Sequence, residues 1–276
     1  MRLRSLLFVP GDRPDRMEKA LGLGADALIL DLEDSVAASR KGEARAAVAE
    51  FLGRRERPMP LLVRINPIDG PYASDDLAAL RDVHPDGLVL PKAEGAATVR
   101  ALSSWTGAPI LPIATETPAA LFELGSYREV ADRLLGLTWG AEDLPAAIGA
   151  TTAREVDGRY TAPIETVRSL ALFAAHAARV PAIETVYPDF RDLDGLAAYA
   201  ARGARDGFTG MMAIHPDQIA VINRAFTPTD AEIASARAIV QAFAAHPDAG
   251  VLAVDGKMVD APHLAQARRL LERAGR

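Results

Sequence analysis

Eight short β-type runs, each separated from the next by a segment of helical pattern or by turn residues, restrict this chain more than any other feature. In order they are Leu3 to Val9, Ala27 to Leu32, Leu61 to Ile65, Gly87 to Leu90, Ile110 to Ala114, Leu134 to Trp139, Ala182 to Val186 and Gly210 to Ile214. Strand runs alternating with helices mark a parallel sheet covered by helices. Right-handed crossovers and a count of eight make closure the simplest arrangement, so the expected fold class is α/β, a (β/α)8 TIM barrel. Local punctuation agrees. Pro10 and Gly11 close the first run, and Pro14 sits near the first position of a helix that has Gly22 and Gly24 past its end. Further helices are expected over Lys41 to Leu52, Asp75 to Val83, Pro163 to Arg179 and Leu196 to Ala204.

A barrel of this class needs about 250 residues, and the chain has 276. We expect the barrel over residues 1–225 and a C-terminal helical extension over 226–276. That tail reads as a helix from Asp230 to Ala245, an extended stretch from Gly250 to Asp260, and a last helix with Leu264, Ala267, Leu270 and Leu271 on one face. It must cover its own barrel or reach a neighbouring subunit, and both remain open. A net charge of −6 with no basic run argues against a nucleic-acid partner. With no cysteine, disulfides, thiolate metal sites and a cysteine nucleophile are excluded. The apolar run Leu6 to Pro10 is too short for a signal peptide or a membrane span, so a cytoplasmic protein with no membrane partner is expected.

A barrel carries its chemistry at the carboxyl ends of its strands. Here those ends are polar: Asp31, Glu33 and Asp34 after the second run, Arg64 on the third, Lys92 after the fourth, Glu116 after the fifth, Glu142 and Asp143 after the sixth. Glu116 in IATETP and Asp143 in LTWGAEDL end consecutive strands, which if paired run roughly 4.8 Å apart. Two carboxylates with open positions beside them suit Mg²⁺, a hard cation that keeps waters and takes oxygen from its substrate. Alternatively, Glu116 caps the helix begun by Thr117 and Pro118, and Asp143 caps one before Leu144 and Pro145. Arg64 fits a substrate carboxylate, which its planar fork can hold through two hydrogen bonds, or else an internal ion pair with the acidic cluster. Gly140, lacking a side chain, would let the amides that follow it approach an anionic oxygen.

Eight segments in register carry a resemblance to a known family. They are RSLLFVPGDRPDRMEKA (Arg4 to Ala20), DLEDSVAASRKGEAR (Asp31 to Arg45), VRINP (Val63 to Pro67), LPKAE (Leu90 to Glu94), ETP (Glu116 to Pro118), WGAEDL (Trp139 to Leu144), AIHPDQI (Ala213 to Ile219) and GKMVDAP (Gly256 to Pro262). With these the chain resembles the citrate lyase β-subunit-like proteins of the HpcH/HpaI aldolase/citrate lyase family, relatives of malyl-CoA and citramalyl-CoA lyases. The resemblance implies Mg²⁺ held by Glu116 and Asp143, and Arg64 on the carboxylate of a 2-oxo acid. It implies oxyanion contacts from the amides around Gly140, Ala141 and Glu142, and Phe8, Arg13 and Lys92 lining the site of a CoA or acyl-carrier thioester. Asp260 matches an aspartate that enters from an adjacent subunit to exchange a proton with the acetyl carbon, which implies a homo-oligomer, a trimer or hexamer, and makes the tail a lid.

The implied reaction is cleavage or formation of a 3-hydroxyacyl thioester, such as malyl-CoA, citramalyl-CoA or a citryl thioester, giving a 2-oxo acid and an acetyl thioester. A citrate lyase β subunit dependent on an acyl carrier, a malyl-CoA thioesterase and a non-catalytic binding protein are the alternatives. Glu33, Asp34 and Glu142 are all candidates for the base at the hydroxyl. His215, before Pro216, reads as a turn residue able to touch the mouth, and Met211 and Met212 as strand core. Met211, Met212 and Glu184 depart from the residues more usual in the family.

Overall fold

Apolar residues on both faces of a strand suit a sheet that is covered on both sides. The first strand, β1 (Ser5–Pro10), is of this kind, with Leu6 and Leu7 both removed from solvent. It is followed by β2 (Ala27–Asp31), β3 (Leu61–Arg64), β4 (Gly87–Leu90), β5 (Ile110–Pro112), β6 (Leu137–Thr138), β7 (Ala182–Glu184) and β8 (Gly210–Ala213). The computed structural model describes residues 2–54 and 57–275. In it these strands form one parallel sheet of order β5-β4-β3-β2-β1-β8-β7-β6. Its two end strands meet through the bridges Ile110–Leu134 and Ile113–Thr138. Leu135 N donates to Ile110 O at 2.8 Å and Ala114 N to Thr138 O at 2.9 Å, so the sheet closes into the expected barrel.

The barrel interior is filled by the inward residue of each strand. Leu6, Ala27, Ile29, Leu62, Val89, Leu111, Ile113, Ile183 and Met212 form one buried cluster, with Phe8 and Val186 packed against it. Leu6 stands beside Met212 and Phe8 beside Ile29 in the registers of β1. Asp31 stands beside Arg64 where β2 meets β3. The inward alternation that fills the core therefore ends, at the carboxyl edge, in charged residues.

Several runs read from the sequence outlast the ladders they form. Leu134 to Trp139 keeps only Leu137–Thr138 as strand, flanked by the bridge at Leu134. Gly136 packs there against β7, where an added Cβ would come 2.8 Å from Pro181 O. The Lys41–Leu52 helix has the expected bounds, while the third helix runs Ala73–Ala79, starting and ending earlier than expected. A helix over Gly95–Ser103 is not among those expected: it begins on a glycine at φ +72° that reads as a breaker, although Ala96, Val99 and Leu102 recur at helical spacing on its buried face.

Contacts divide the chain into two units, Met1–Asn223 and Arg224–Arg276. The second unit pairs the Asp230–Ala245 and Ala261–Arg273 helices around a hairpin of β9 (Val251–Val254) and β10 (Lys257–Asp260). Its first helix is closed by a capping box between Thr229 and Glu232. Among the described residues, no helix is long and apolar enough to cross a membrane.

Candidate active site

The carboxyl ends of the strands open on a cavity of about 740 Å³. Phe8, Arg64, Glu116, Gly140, Ala141, Glu142 and Asp143 all line it. Glu116 does not cap the helix that follows it. Thr117 does, its hydroxyl accepting from Ala120 N at 3.2 Å, so the alternative reading of Glu116 is excluded. Glu116 is instead turned into the barrel mouth, 5% exposed, where Lys92 N donates to its Oε2 at 2.5 Å. That amide faces Glu116 from a residue whose backbone is left-handed, with φ at +49°. Asp143 opens the short Asp143–Ala147 helix and is half-exposed; the capping position belongs to Glu142, which makes no side-chain cap bond.

Gly140 is what allows the two strand ends to close on each other. A Cβ there would sit 2.8 Å from the Glu116 Cγ and 3.4 Å from its Oε1. The WGAED turn is fastened by Thr115, whose hydroxyl accepts from Gly140 N and donates to Gly140 O, both at 3.1 Å. Burial drives the Glu116 pKa up to about 8, and the nearby Glu33 and Asp143 carboxylates add to the rise against the Lys92 amide, which opposes it.

Lys92 spans this acidic ring without lining the cavity. Its Nζ lies 3.1 Å from Glu33 and 3.6 Å from Asp143. Burial by itself would lower the lysine pKa, but Glu33, Glu116 and Asp143 outweigh it and raise it. Glu33 is 4% exposed, and burial raises its pKa despite Arg64 and Lys92 beside it.

Arg64 takes the internal ion pair. Its Nε and Nη2 each donate to Asp31 at 2.7 Å, and Nη1 reaches Glu33 at 2.8 Å. The register neighbours Asp31 and Arg64 make this fork the nearest partner for both. Burial alone would raise the Asp31 pKa, but the guanidinium holds it below the usual range. Arg64 still borders the cavity, its guanidinium stacked over Phe8 at 4.7 Å.

Other expected residues fall elsewhere. Arg13 precedes the Pro14–Ala20 helix and is held by Asp15 at 3.0 Å, outside the cavity lining. The basic residues of that helix on the lining are Arg16 and Lys19, three apart on one face. Sequence reasoning missed them, although the spacing was a usable signal once the helix was placed. His215 lines the cavity too, stacked on Phe190 with centroids 4.8 Å apart, while its Nδ1 accepts from Asp217 N. Asp260 belongs to the second unit, where it precedes the last helix and its Oδ1 lies 2.5 Å from His263 Nδ1. That contact holds the Asp260 carboxyl below its usual range.

Behind the WGAED turn a second acidic group is fully enclosed. Glu184, at the end of β7, is 0% exposed and accepts from Trp139 Nε1 at 2.6 Å, Tyr199 OH at 2.8 Å, Thr185 N at 3.0 Å and Arg168 Nε at 2.8 Å. Arg168 is itself anchored to Asp206 at 2.8 Å. Among the described residues, no group of three or more His, Cys, Asp or Glu side chains is arranged to hold a metal ion.

The family model for HpcH/HpaI aldolase/citrate lyase matches residues 4–216. A citrate lyase subunit beta-like protein of Mycobacterium tuberculosis is 39% identical over 98% of this chain and 94% of its own length. A (3S)-malyl-CoA thioesterase of Cereibacter sphaeroides is 36% identical over 98% of this chain and 94% of its own length. Among solved structures, Mycobacterium tuberculosis CitE in complex with magnesium, acetoacetate and coenzyme A aligns with a TM-score of 0.87 at 36% identity, covering 100% of this chain and 99% of that one. Further structures of the Mycobacterium tuberculosis protein hold magnesium with oxaloacetate or with pyruvate.

Proposed function

The chain belongs to the HpcH/HpaI aldolase/citrate lyase family, and on that premise we propose that it is a Mg²⁺-dependent carbon–carbon lyase acting on a 3-hydroxyacyl-CoA such as malyl-CoA or citramalyl-CoA. The observation that carries this reading is the pair Glu116 and Asp143 at the barrel mouth. A buried carboxylate with a pKa near 8, crowded by two further carboxylates, is a group short of positive charge. Two such oxygens with open cavity beside them fit Mg²⁺, which keeps waters and accepts substrate oxygens. Bound there, the ion would supply Lewis acidity at the substrate's hydroxyl and carboxylate oxygens.

The remaining steps fall to the chain's own groups. Arg64, held by Asp31 and stacked on Phe8 at the border of the cavity, is the guanidinium that meets the carboxylate of the 2-oxo acid half. Amides following Gly140 face the thioester oxygen, where negative charge grows as the carbon–carbon bond breaks. Arg16 and Lys19 suit the phosphates of the CoA portion. A carboxylate of the mouth, Glu33, Asp34 or Glu142, takes the hydroxyl proton as the carbon–carbon bond breaks, and Asp260, given by the tail of a neighbouring copy in a homo-oligomer, gives a proton to the acetyl carbon; synthesis reverses both transfers.

One relative favours a second reading. The malyl-CoA thioesterase similarity supports hydrolysis of the same esters, with water as the acceptor. Purified protein with Mg²⁺ should release glyoxylate from malyl-CoA or pyruvate from citramalyl-CoA, and lose that activity in EDTA or on Asp143→Ala. Release of free CoA without a 2-oxo acid would replace the lyase by the thioesterase. Turnover that appears only with an added acyl carrier would make it a subunit of a larger citrate lyase.

A further inference from the structure

The last strand and the last helix of the tail bring a carboxylate and an imidazole together. The hairpin register sets Asp260 opposite Val251 and Met258 opposite Ala253. Alternation along β10 therefore puts Asp260 and Met258 on one face and the buried Val259 on the other. Met258 and Val251 are 63% and 59% exposed, so Asp260 stands on an exposed apolar surface. It is also the N-cap of the Ala261–Arg273 helix, and the third helical residue, His263, reaches back to it.

His263 Nδ1 makes two contacts that call for opposite proton states. It lies 2.5 Å from Asp260 Oδ1, where two bare acceptors would repel, so a proton belongs between them. It also lies 3.3 Å from Asp260 N, an amide that can only donate, so the bare nitrogen has a partner as well. The ring can therefore hold or release a proton without moving. Imidazole exchanges protons near neutral pH, and both side chains are open to water, His263 45% and Asp260 35% exposed. Among the described residues, no other side chain bonds the Asp260 carboxylate.

We propose that Asp260 and His263 act as one acid–base unit at the acetyl carbon, with His263 holding the proton that Asp260 delivers. The proposal rests on the lyase reading, in which Asp260 meets that carbon, and it makes His263 a positioning residue that acts through the aspartate. An aspartate held below its usual range by the ring is suited to take a proton from acetyl-CoA, but alone it has none to give on cleavage. The pair supplies one. The enolate electron pair forms the C–H bond, the carboxyl O–H bond breaks, and carboxylate and neutral imidazole remain; water then returns a proton to the ring. Synthesis runs the transfers backwards, the methyl proton passing through Asp260 to Nδ1. Where the neighbouring copy covers the apolar face, the carboxylate loses water, and a buried charge that is paired and hydrogen-bonded costs far less than a lone one.

His263→Gln separates the proton from the cap, because glutamine at the third helical position can still reach back to the N-cap amide but cannot hold and release a proton. Release of 2-oxo acid from malyl-CoA or citramalyl-CoA by the wild type, measured first with Mg²⁺, tests the lyase reading separately. With the better of those esters, His263→Gln should lower kcat by about 100-fold, keep KM within about twofold and melt with the wild type. Asp260→Asn should lose at least as much activity. A kcat for His263→Gln within about threefold of wild type, with Asp260→Asn inactive, overturns the pair and leaves the aspartate as the lone acid of the lyase. A drop in kcat matched by a lower melting temperature assigns His263 to the helix cap and overturns the proposal as well. Full activity of Asp260→Asn overturns the reading of Asp260 itself, and the pair with it.

Discussion

Glu116 and Glu184 are both buried, at the carboxyl ends of the strands on either side of β6, yet their surroundings are opposite. Glu184 accepts from four donors, one a guanidinium. Glu116 accepts from a single backbone amide, and the Lys92 ammonium nearby does not offset its burial and the two carboxylates beside it. A buried charge is tolerable when it is paired and fully hydrogen-bonded, and costly otherwise. Glu184 is therefore a structural bolt, and Glu116 is the group on which the Mg²⁺ proposal rests. The lesson is that burial alone does not distinguish a functional carboxylate; the count and charge of its partners does.

The sharpest way to break this comparison is to neutralise each group in turn. Glu116→Gln should cut Mg²⁺-dependent turnover by about a thousandfold or more, since it removes the negative charge and one of the two oxygens proposed to face the ion, while leaving thermal stability in EDTA unchanged or higher. Glu184→Ala should act the other way, destabilising the fold by about 3–5 kcal/mol because it leaves three donors unmet and the buried Arg168 with Asp206 alone. Denaturant melts in EDTA and steady-state rates would read the two effects separately; similar stability losses in both variants would erase the distinction.

A pH series comes next in size. The Glu116 pKa in the fold is about 8 against an ordinary 4.5, so the metal-free protein binds that proton more tightly than the unfolded chain does. Its contribution to stability is full below about pH 4.5, declines as pH rises, and is gone above about 8. Mg²⁺ competes with the same proton, so the rise in melting temperature on adding Mg²⁺ should grow from pH 6 to 8 and then level off. A rise independent of pH would mean that the ion binds elsewhere.

Smaller effects sharpen the contrast. Trp139→Phe keeps the ring but removes one of the four donors to Glu184, which should cost about 1.5–3 kcal/mol, as for hydrogen bonds to charged groups. Arg13→Ala touches only an exposed partner, Asp15, and should change stability by no more than about 0.5 kcal/mol.

Much of the barrel and half of this comparison were legible in the chain itself. Strand alternation and helix punctuation are local properties, and Glu116 and Asp143 stand out because each ends an apolar run abruptly. Glu184 was visible only as an unusual residue in a β-run. Its partners come from Trp139 on the preceding strand, Arg168 on the helix between and Tyr199 on the helix after, a convergence that no window of sequence contains. Arg64 shows the same limit differently. Its side chain suits a substrate carboxylate or an internal one equally well, and only the register of β2 against β3 puts Asp31 beside it.

Lys92 enters this site twice, once through its ammonium and once through its main chain. The group that grips Glu116 is the amide, aimed by a left-handed backbone. Side-chain scanning cannot remove it, and comparison of aligned residue identities cannot register it. Lys92→Ala would delete the charge and leave the grip in place. Backbone chemistry, an amide-to-ester exchange at residue 92, is the operation that would isolate it, and it would show how much of the affinity for the ion is written in the path of the chain rather than in its letters.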